Sequence, residues 1–234
     1  MKVIEATNYT LYIVATPIGN LSDFSERAVQ TLNAVDIIAC EDTRTSSKLL
    51  RHYGIEKPVF AFHQHNEHAR VEKMMDMLRS GQNVAIISDA GMPGISDPGF
   101  LAVRAAHQQG FSVITIPGPS AGLSAIVASG LPCDRFVFEG FLPQKKGRLT
   151  RLQLLATEER TIVVFESPHR ILRLINEIIT HFGPDRLIAV ARELTKKFEE
   201  IIRAPAVEVK QILEQRTSIK GEIVVVIAGS GYEE

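Results

Sequence analysis

Short apolar, β-branched runs alternate along the first half of the chain with longer stretches whose apolar residues recur at helical spacing. The short runs predict strands at residues 11–15, 36–40, 59–62, 84–87 and 113–116. The longer stretches predict helices at residues 26–32, 46–53, 67–79 and 100–109, with Thr43 and Asp97 as N-caps and Gly54, Gly81 and Gly110 as stops. Strands and helices that alternate at this pace predict βαβ units around a mostly parallel sheet.

The second half of the chain keeps the alternation but changes its character. Strands are predicted at residues 136–139, 161–165, 187–191, 198–204 and 222–228, and helices from Ser120, Arg148 and Pro168. The last two strands suggest antiparallel pairing. Two prolines and a glycine punctuate residues 116–119. We therefore predict an α/β fold of two α/β domains, residues 1–117 with a mostly parallel sheet and residues 118–234 with a mixed sheet.

The composition places the chain among globular proteins. Its 234 residues are 45% hydrophobic and 23% charged, with 26 Lys+Arg against 27 Asp+Glu and a net charge of -1. This balance excludes a disordered or fibrous protein and argues against a non-specific DNA binder. Only two cysteines are present, the N-terminus does not resemble a signal segment, and no apolar run reaches the roughly 20 residues of a membrane span. We expect a cytoplasmic protein without a membrane role.

Three loops that directly follow predicted strands are unusually rich in proline and glycine. They cover residues 16–20, 88–99 and 117–122. Ligands of open α/β sheets bind beyond the carboxyl ends of the strands, and rigid loops with exposed main-chain groups suit a small cofactor. The alternative is that they are only tight turns. Asp89 could bind a sugar hydroxyl or a cationic group, or cap nearby amides, and Glu41 and Asp42 could simply be helix N-terminal charges.

Other ligand classes are less well supported. The chain lacks both the Gly-x-Gly-x-x-Gly fingerprint and the Gly-x-x-x-x-Gly-Lys-Ser/Thr motif, which weakens dinucleotide and nucleoside-triphosphate interpretations. His63, His65 and His68 have no clear set of carboxylate or cysteine partners. We predict no metal.

Seven segments closely resemble the motifs of the ribosomal RNA small-subunit methyltransferase I family, which belongs to the tetrapyrrole methylase superfamily. They are residues 11–21, Glu41-Asp-Thr-Arg44, Ser88-Asp-Ala-Gly91, Ser96-Asp-Pro-Gly99, Pro117-Gly-Pro-Ser-Ala121, Glu166-Ser-Pro-His-Arg170 and Arg192-Glu-Leu-Thr-Lys196. The resemblance runs in order from about residue 10 to about residue 228. Seven motifs in register are far more specific than any one of them.

The resemblance implies S-adenosylmethionine-dependent 2′-O-methylation of a cytidine in the decoding region of small-subunit (16S) ribosomal RNA by a homodimer. It also implies a cofactor held in the cleft between the domains, largely by main-chain groups. The cofactor-binding residues carried over by motif are Pro17, Gly19, Asp89, Gly91, Met92, Pro93, Ile95, Ser96, Ser120 and Ala121, with Phe165 closing the pocket. Met92 stands where the family often has threonine, and many members continue into a small helical C-terminal extension.

The implied reaction needs a ribose oxygen aligned with an activated methyl group and help in removing the 2′-hydroxyl proton. Glu166, His169 and Lys196 are the candidate catalytic bases, although the first two could cap the following helix, Lys196 could contact a phosphate or be a surface charge, and no assisting residue need exist. The predicted contacts to RNA, in 16S rRNA or the 30S subunit, are Arg44, Lys145, Lys146, Arg148, Arg151, Arg170 and Arg192. For the residues at 145–151 the alternative is a solvated helix face.

Three other functions remain open. A relative in the same superfamily could methylate a corrin or porphyrin precursor, although the motifs at 41–44 and 166–170 resemble the RNA branch. A non-catalytic RNA-binding or assembly module could retain the fold, and intact cofactor loops argue against it. A nucleotide-dependent oxidoreductase is the generic α/β alternative, and the missing glycine fingerprint counts against it.

Overall fold

The structure is a computed structural model that describes residues 7–63 and 67–234. The chain divides into two compact units, the first ending at Ser120 and the second covering Ala121–Glu234. Both are α/β, the first with a parallel and the second with a mixed sheet, which confirms the predicted fold class.

The first unit contains a five-stranded parallel sheet in the order β3-β2-β4-β1-β5. Its strands are β1 (Thr7–Val14), β2 (Ile37–Cys40), β3 (Val59–Ala61), β4 (Val84–Ile87) and β5 (Phe111–Ile116). Its helices are a 3-10 helix at Leu21–Asp23, α1 (Glu26–Ala34), α2 (Thr43–His52), α3 (Glu67–Arg79) and α4 (Phe100–Gln108).

Helices cover both faces of this sheet, as parallel sheets require. On one face Val84 and Ile86 of β4 join a core with Met74, Leu78 and other residues of α3 and α4. On the opposite face the alternating residues of β4 join a second core with residues of α1 and α2. All four residues of β4 are buried, which explains why this strand reads as a continuous apolar run.

The second unit contains a mixed sheet in the order β6-β7-β10-β8-β9. Its strands are β6 (Phe136–Phe141), β7 (Thr161–Glu166), β8 (Leu187–Arg192), β9 (Glu200–Pro205) and β10 (Ile223–Ile227), and its helices are α5 (Ala121–Ser129), α6 (Arg148–Ala156), α7 (Ile171–Phe182) and α8 (Ala206–Glu214). The apolar residues of α6, α7 and α8 pack on one face of the sheet. Helix α5 packs on the other face, where Gly122 lies against Phe138 and Val163.

Several local expectations were wrong. The N-cap of α2 is Asp42 instead of Thr43, and the N-cap of α4 is Gly99, which has no side chain, instead of Asp97. Helix α7 begins at Ile171 instead of Pro168 because residues 167–170 form a turn closed by a hydrogen bond from the Arg170 amide to the Ser167 carbonyl.

The predicted antiparallel pairing of the last two strands is confirmed, and the structure shows their common partner. Strands β9 and β10 do not pair with each other, since each pairs antiparallel with β8. The sequence interpretation also missed α8, whose buried residues Ala206, Val209 and Leu213 follow helical spacing directly after β9. Within the described ranges, none of the helices has the length and apolar character needed to cross a bilayer.

Candidate functional site

Two of the three proline- and glycine-rich loops meet directly at the carboxyl edge of the first sheet. Strands β4 and β1 are parallel neighbours, so their carboxyl ends lie side by side. Thr16 and Gly91 exchange two main-chain hydrogen bonds, from the Thr16 amide to the Gly91 oxygen at 2.9 Å and from the Gly91 amide to the Thr16 oxygen at 3.1 Å. The first two loops are therefore joined by a small antiparallel bridge.

The third loop packs closely against the first. A Cβ atom on Gly118 would lie 2.9 Å from the Cβ atom of Ala15, closer than real side chains approach. The Ala15 amide also donates to the Ile116 oxygen at 3.2 Å. Glycine at position 118 thus allows the third loop to come against the first, and the three loops form one continuous edge.

Internal hydrogen bonds hold the second loop in shape. The Ser88 hydroxyl donates to the Gly91 oxygen at 3.0 Å, and the Gly94 amide donates to the Pro98 oxygen at 3.1 Å. Ser96 adopts a left-handed backbone with φ +65°. Such a conformation costs a non-glycine residue about 1 kcal/mol or more and is common where a loop is shaped for a ligand.

The residue that closes the second loop onto α4 is Glu67, at the start of α3. Its Oε1 atom accepts hydrogen bonds from the amides of Gly99 at 3.1 Å and Leu101 at 3.4 Å. A carboxylate at this position satisfies free amides and interacts favourably with the helix dipole. Sequence analysis missed it because a cap supplied 32 residues earlier has no local signal.

The predicted cofactor-binding residues of the first unit all lie on or beside these loops. Gly19, Asp89 and Ile95 are exposed, Met92, Ser96 and Ser120 are half-buried, and Pro17, Gly91 and Pro93 are buried. Ala121 and Phe165 belong to the second unit.

Three carboxylates give this edge a negative character. Loss of hydration raises the pKa of Glu41, and repulsion from Asp89 raises it further. Burial, followed by repulsion from Glu41, raises the pKa of Asp97 to about 6. Loss of hydration also raises the pKa of Asp89, although its Oδ1 atom accepts from the Asp42 amide at 3.2 Å. The edge therefore favours a cationic group or hydroxyl donors over an anion.

In the second unit, Glu166 is buried in an ion network. Its side chain is 2% exposed, and its Oε1 atom accepts from the Ser167 amide at 2.8 Å and from the Arg170 guanidinium at 2.8 Å. Its Oε2 atom lies 3.5 Å from Arg148, whose guanidinium pairs with Glu177 at 2.6 Å. The Glu166 carboxylate is thus surrounded by donors.

His169 and Lys196 have contrasting surroundings. His169 is exposed in the turn between β7 and α7, where its amide donates to the Ser167 hydroxyl at 3.3 Å. The Lys196 ammonium donates to Glu193 and Glu222, both at 2.9 Å. Burial opposes the charge of Lys196, but these two carboxylates outweigh it and raise its pKa. Lys196 is therefore held as a cation.

Most of the predicted RNA-contacting arginines already have carboxylate partners. Arg44 pairs with Asp42, Arg151 with Glu139, Arg170 with Glu166 and Arg192 with Glu200. Arg148 does not lie on the surface at all, because its side chain is only 3% exposed and is enclosed by Glu177 and Glu166. The side chains of Lys145 and Lys146 are exposed and form no ion pair or hydrogen bond with the residues described.

No group of three or more histidine, cysteine, aspartate or glutamate side chains that could hold a metal ion occurs among residues 7–63 and 67–234. His65 lies outside the described residues.

Comparison with known proteins places these features in context. The model of the family described as Tetrapyrrole (Corrin/Porphyrin) Methylases matches residues 10–210. Proteins named Ribosomal RNA small subunit methyltransferase I are 50% identical over 226 residues in Pasteurella multocida, 46% over 226 residues in Escherichia coli O157:H7 and 48% over 225 residues in Synechocystis. Each alignment covers 96% of this chain, and about 80% of each relative.

Solved structures share the fold at much lower identity. The methyltransferase CobJ has a TM-score of 0.71 at 17% identity and covers 97% of this chain and 96% of its own. Diphthine synthase has a TM-score of 0.69 at 12% identity, with 94% and 90% covered. Cobalt precorrin-4 methyltransferase has a TM-score of 0.66 at 16% identity, with 97% and 98% covered.

Proposed function

Because the chain belongs to the ribosomal RNA small subunit methyltransferase I family of tetrapyrrole methylases, we propose that it transfers a methyl group from S-adenosylmethionine to small-subunit ribosomal RNA. We further propose that the methyl group is transferred to the 2′-hydroxyl of a cytidine in the decoding region. Identity near 50% over almost the whole chain is the observation that carries the assignment. It favours RNA over a corrin or porphyrin precursor, because the solved cobalt precorrin-4 methyltransferase and a uroporphyrin-III C-methyltransferase share only 16% and 15% identity with this chain.

The residues at the carboxyl edge of the first sheet fit S-adenosylmethionine chemically. This cofactor carries a sulfonium and an ammonium group, which suit an edge that holds Glu41, Asp89 and Asp97. The loops are also rich in glycine and proline, which lets a ligand approach the main chain closely. We propose that these loops hold the cofactor.

When bound, S-adenosylmethionine supplies an already activated methyl group, so the protein must orient the ribose and receive a proton. We propose His169 as the base, because its side chain is exposed and histidine is the commonest general base. Glu166 is saturated by donors, which suits a residue that fixes the turn carrying His169. Lys196 already carries its proton and suits a phosphate contact.

Transfer of labelled methyl from S-adenosylmethionine tests the proposal. The acceptors are 30S subunits, naked 16S rRNA and, as the alternative, a porphyrin precursor. We expect label in RNA only, a loss of about 10²-fold or more in kcat for His169→Ala, and retention of cofactor binding. Label on the porphyrin precursor would overturn the assignment, and full activity of His169→Ala would overturn the role of His169.

A further inference from the structure

An exposed aromatic ring stands at the carboxyl end of β6, an edge strand of the second sheet. A β-bulge between Phe138 and Gly140 shifts the register, so that Phe138 pairs with Val163 and Phe141 pairs with Phe165. The extra residue places Phe138 and Phe141 on the same side, beside Phe165, at ring centroid distances of 5.1 Å and 5.6 Å. Phe141 is nevertheless 57% exposed. The Phe141 ring is therefore held in place by Phe165 and still exposed to a binding partner.

The loop that follows Phe141 is fixed from within by Arg148. The Arg148 guanidinium donates to the Pro143 carbonyl at 3.1 Å while it pairs with Glu177, and its amide donates to the Lys145 carbonyl at 3.2 Å. Burial of Arg148 therefore anchors a short loop whose outer residues are Lys145 and Lys146. Both lysine side chains are exposed, and the two residues follow Phe141 by four and five positions in the chain.

The local charges leave these two lysines uncompensated. Glu139 is paired with Arg151, and Glu177 is paired with Arg148 and Arg173. Neither Lys145 nor Lys146 forms an ion pair with residues 7–63 or 67–234. An anionic partner can therefore bind here without first displacing a carboxylate.

We infer that Phe141 stacks on an unpaired base of single-stranded RNA while Lys145 and Lys146 bind the neighbouring phosphates. This inference rests on the proposed rRNA methyltransferase function and adds a binding subsite to it. Aromatic rings that stack on bases beside basic residues that follow the backbone are the general means of binding single strands. A purely apolar partner would leave the two lysines without a role.

Fluorescence anisotropy with a labelled, unstructured pyrimidine-rich RNA tests the subsite without requiring methyl transfer. Stacking on one base is worth roughly 5- to 150-fold in affinity, so Phe141→Leu should weaken binding within that range while Phe141→Trp retains it. Log affinity falls as log salt concentration rises, and each single-strand phosphate contact contributes about 0.7 to the steepness of this fall. The Lys145→Ala, Lys146→Ala double variant should therefore make the slope shallower by about 1.4.

Matched controls come from the same unit. Phe198 is 65% exposed and has Lys197 over its ring, so Phe198→Leu removes an equally exposed ring away from β6 and should leave affinity unchanged. Lys210→Ala with Lys220→Ala removes the same charge elsewhere and should change the slope less.

Equal RNA affinity of Phe141→Leu and the wild type, or equal loss in Phe141→Leu and Phe141→Trp, would overturn the stacking role. An unchanged salt slope in the dilysine variant would overturn the phosphate contacts. Should RNA bind as expected while no methyl transfer occurs, the proposed function fails and the subsite stands. If the protein methylates rRNA but these variants bind RNA as the wild type does, the proposed function stands and the subsite is overturned.

Discussion

At the scale of single residues, Gly221 supports the setting of Lys196. Its φ is +95°, and a Cβ atom there would lie 2.3 Å from Cγ of Glu193. Glu193 holds both the Lys196 ammonium and the Glu222 amide, and its own backbone is left-handed with φ +52°. The space beside Gly221 is therefore needed for the side chain that fixes Lys196.

We expect Gly221→Ala to destabilise the protein by about 2–4 kcal/mol, because the backbone strain is joined by the loss of the Glu193 hydrogen bonds. Gly54→Ala is the control without a clash. It has φ +65° with nothing within 4 Å of its Cβ position, so it should cost only about 1 kcal/mol of strain. Urea unfolding measures both, and equal losses would contradict the clash with Glu193.

Asp97 gives a pH-dependent prediction. Its pKa in the folded protein is about 6, against 3.8 as its ordinary value, so the folded state binds this proton more tightly than the unfolded chain. The ionised carboxylate therefore destabilises the fold. The cost is absent below about pH 4, grows between pH 4 and 6, and is complete above that range.

We expect Asp97→Asn to raise the free energy of unfolding at pH 7.5 by about 1 kcal/mol, a value reduced for solvent screening. The gain should shrink toward zero as the pH falls to 4. Thermal unfolding of both proteins from pH 4 to 8 measures this, and a gain that is independent of pH would show that charge is not its cause.

At the scale of secondary-structure elements, the N-terminus of α4 depends on a residue of α3. Removing the Glu67 carboxylate in Glu67→Ala leaves the Gly99 and Leu101 amides without their acceptor, and we expect a loss of about 1–2 kcal/mol. Hydrogen exchange should rise in residues 94–101. The control Glu72→Ala removes a surface pair with Arg79 on the same helix and should cost under about 1 kcal/mol.

Protection of residues 94–101 that stays at the wild-type level in Glu67→Ala would contradict the cap. Cofactor affinity is the functional readout of the same variant. We expect it to fall, because this cap closes the second of the three proposed cofactor-binding loops.

The β6–α6 connection depends on Arg148. Arg148→Met leaves Glu177 and Glu166 with fewer partners inside the protein, and we expect a loss of about 3 kcal/mol. Arg151→Met, three residues on, breaks a pair whose arginine is 39% exposed and should cost about 1 kcal/mol. Chemical unfolding that ranks the two in the opposite order would contradict the structural role assigned to Arg148.

The elements differ in how far sequence could predict them. Strand β4 and helix α3 have the predicted bounds, because an apolar run bounded by turns and a long helical repeat are strong local signals. The burial of Arg148 had no such signal, since its partner Glu177 lies 29 residues away on α7. The basic residues that lie together in the sequence therefore differ in the structure, where Arg148 is buried and Lys145 and Lys146 are exposed.

At the scale of the whole molecule, a net charge of -1 is compatible with RNA binding only if positive charge is concentrated locally. Little of the predicted positive charge is available to RNA, because most of the predicted arginines are paired with carboxylates of the protein. The positions of the three proline- and glycine-rich loops, which we propose hold the cofactor, could be predicted from the sequence because ligand-binding loops follow the carboxyl ends of parallel strands. The bridge between Thr16 and Gly91 could not be predicted from the sequence, because it joins residues 75 positions apart.

We propose that this chain methylates a ribose of small-subunit ribosomal RNA. The most direct measurement is to incubate the protein with labelled S-adenosylmethionine and unmodified 30S subunits, digest the RNA to nucleosides and identify the labelled product by mass spectrometry. We predict a single labelled nucleoside, 2′-O-methylcytidine, from the decoding region. Label on a base, or no label in RNA while S-adenosylmethionine is bound, would contradict the account.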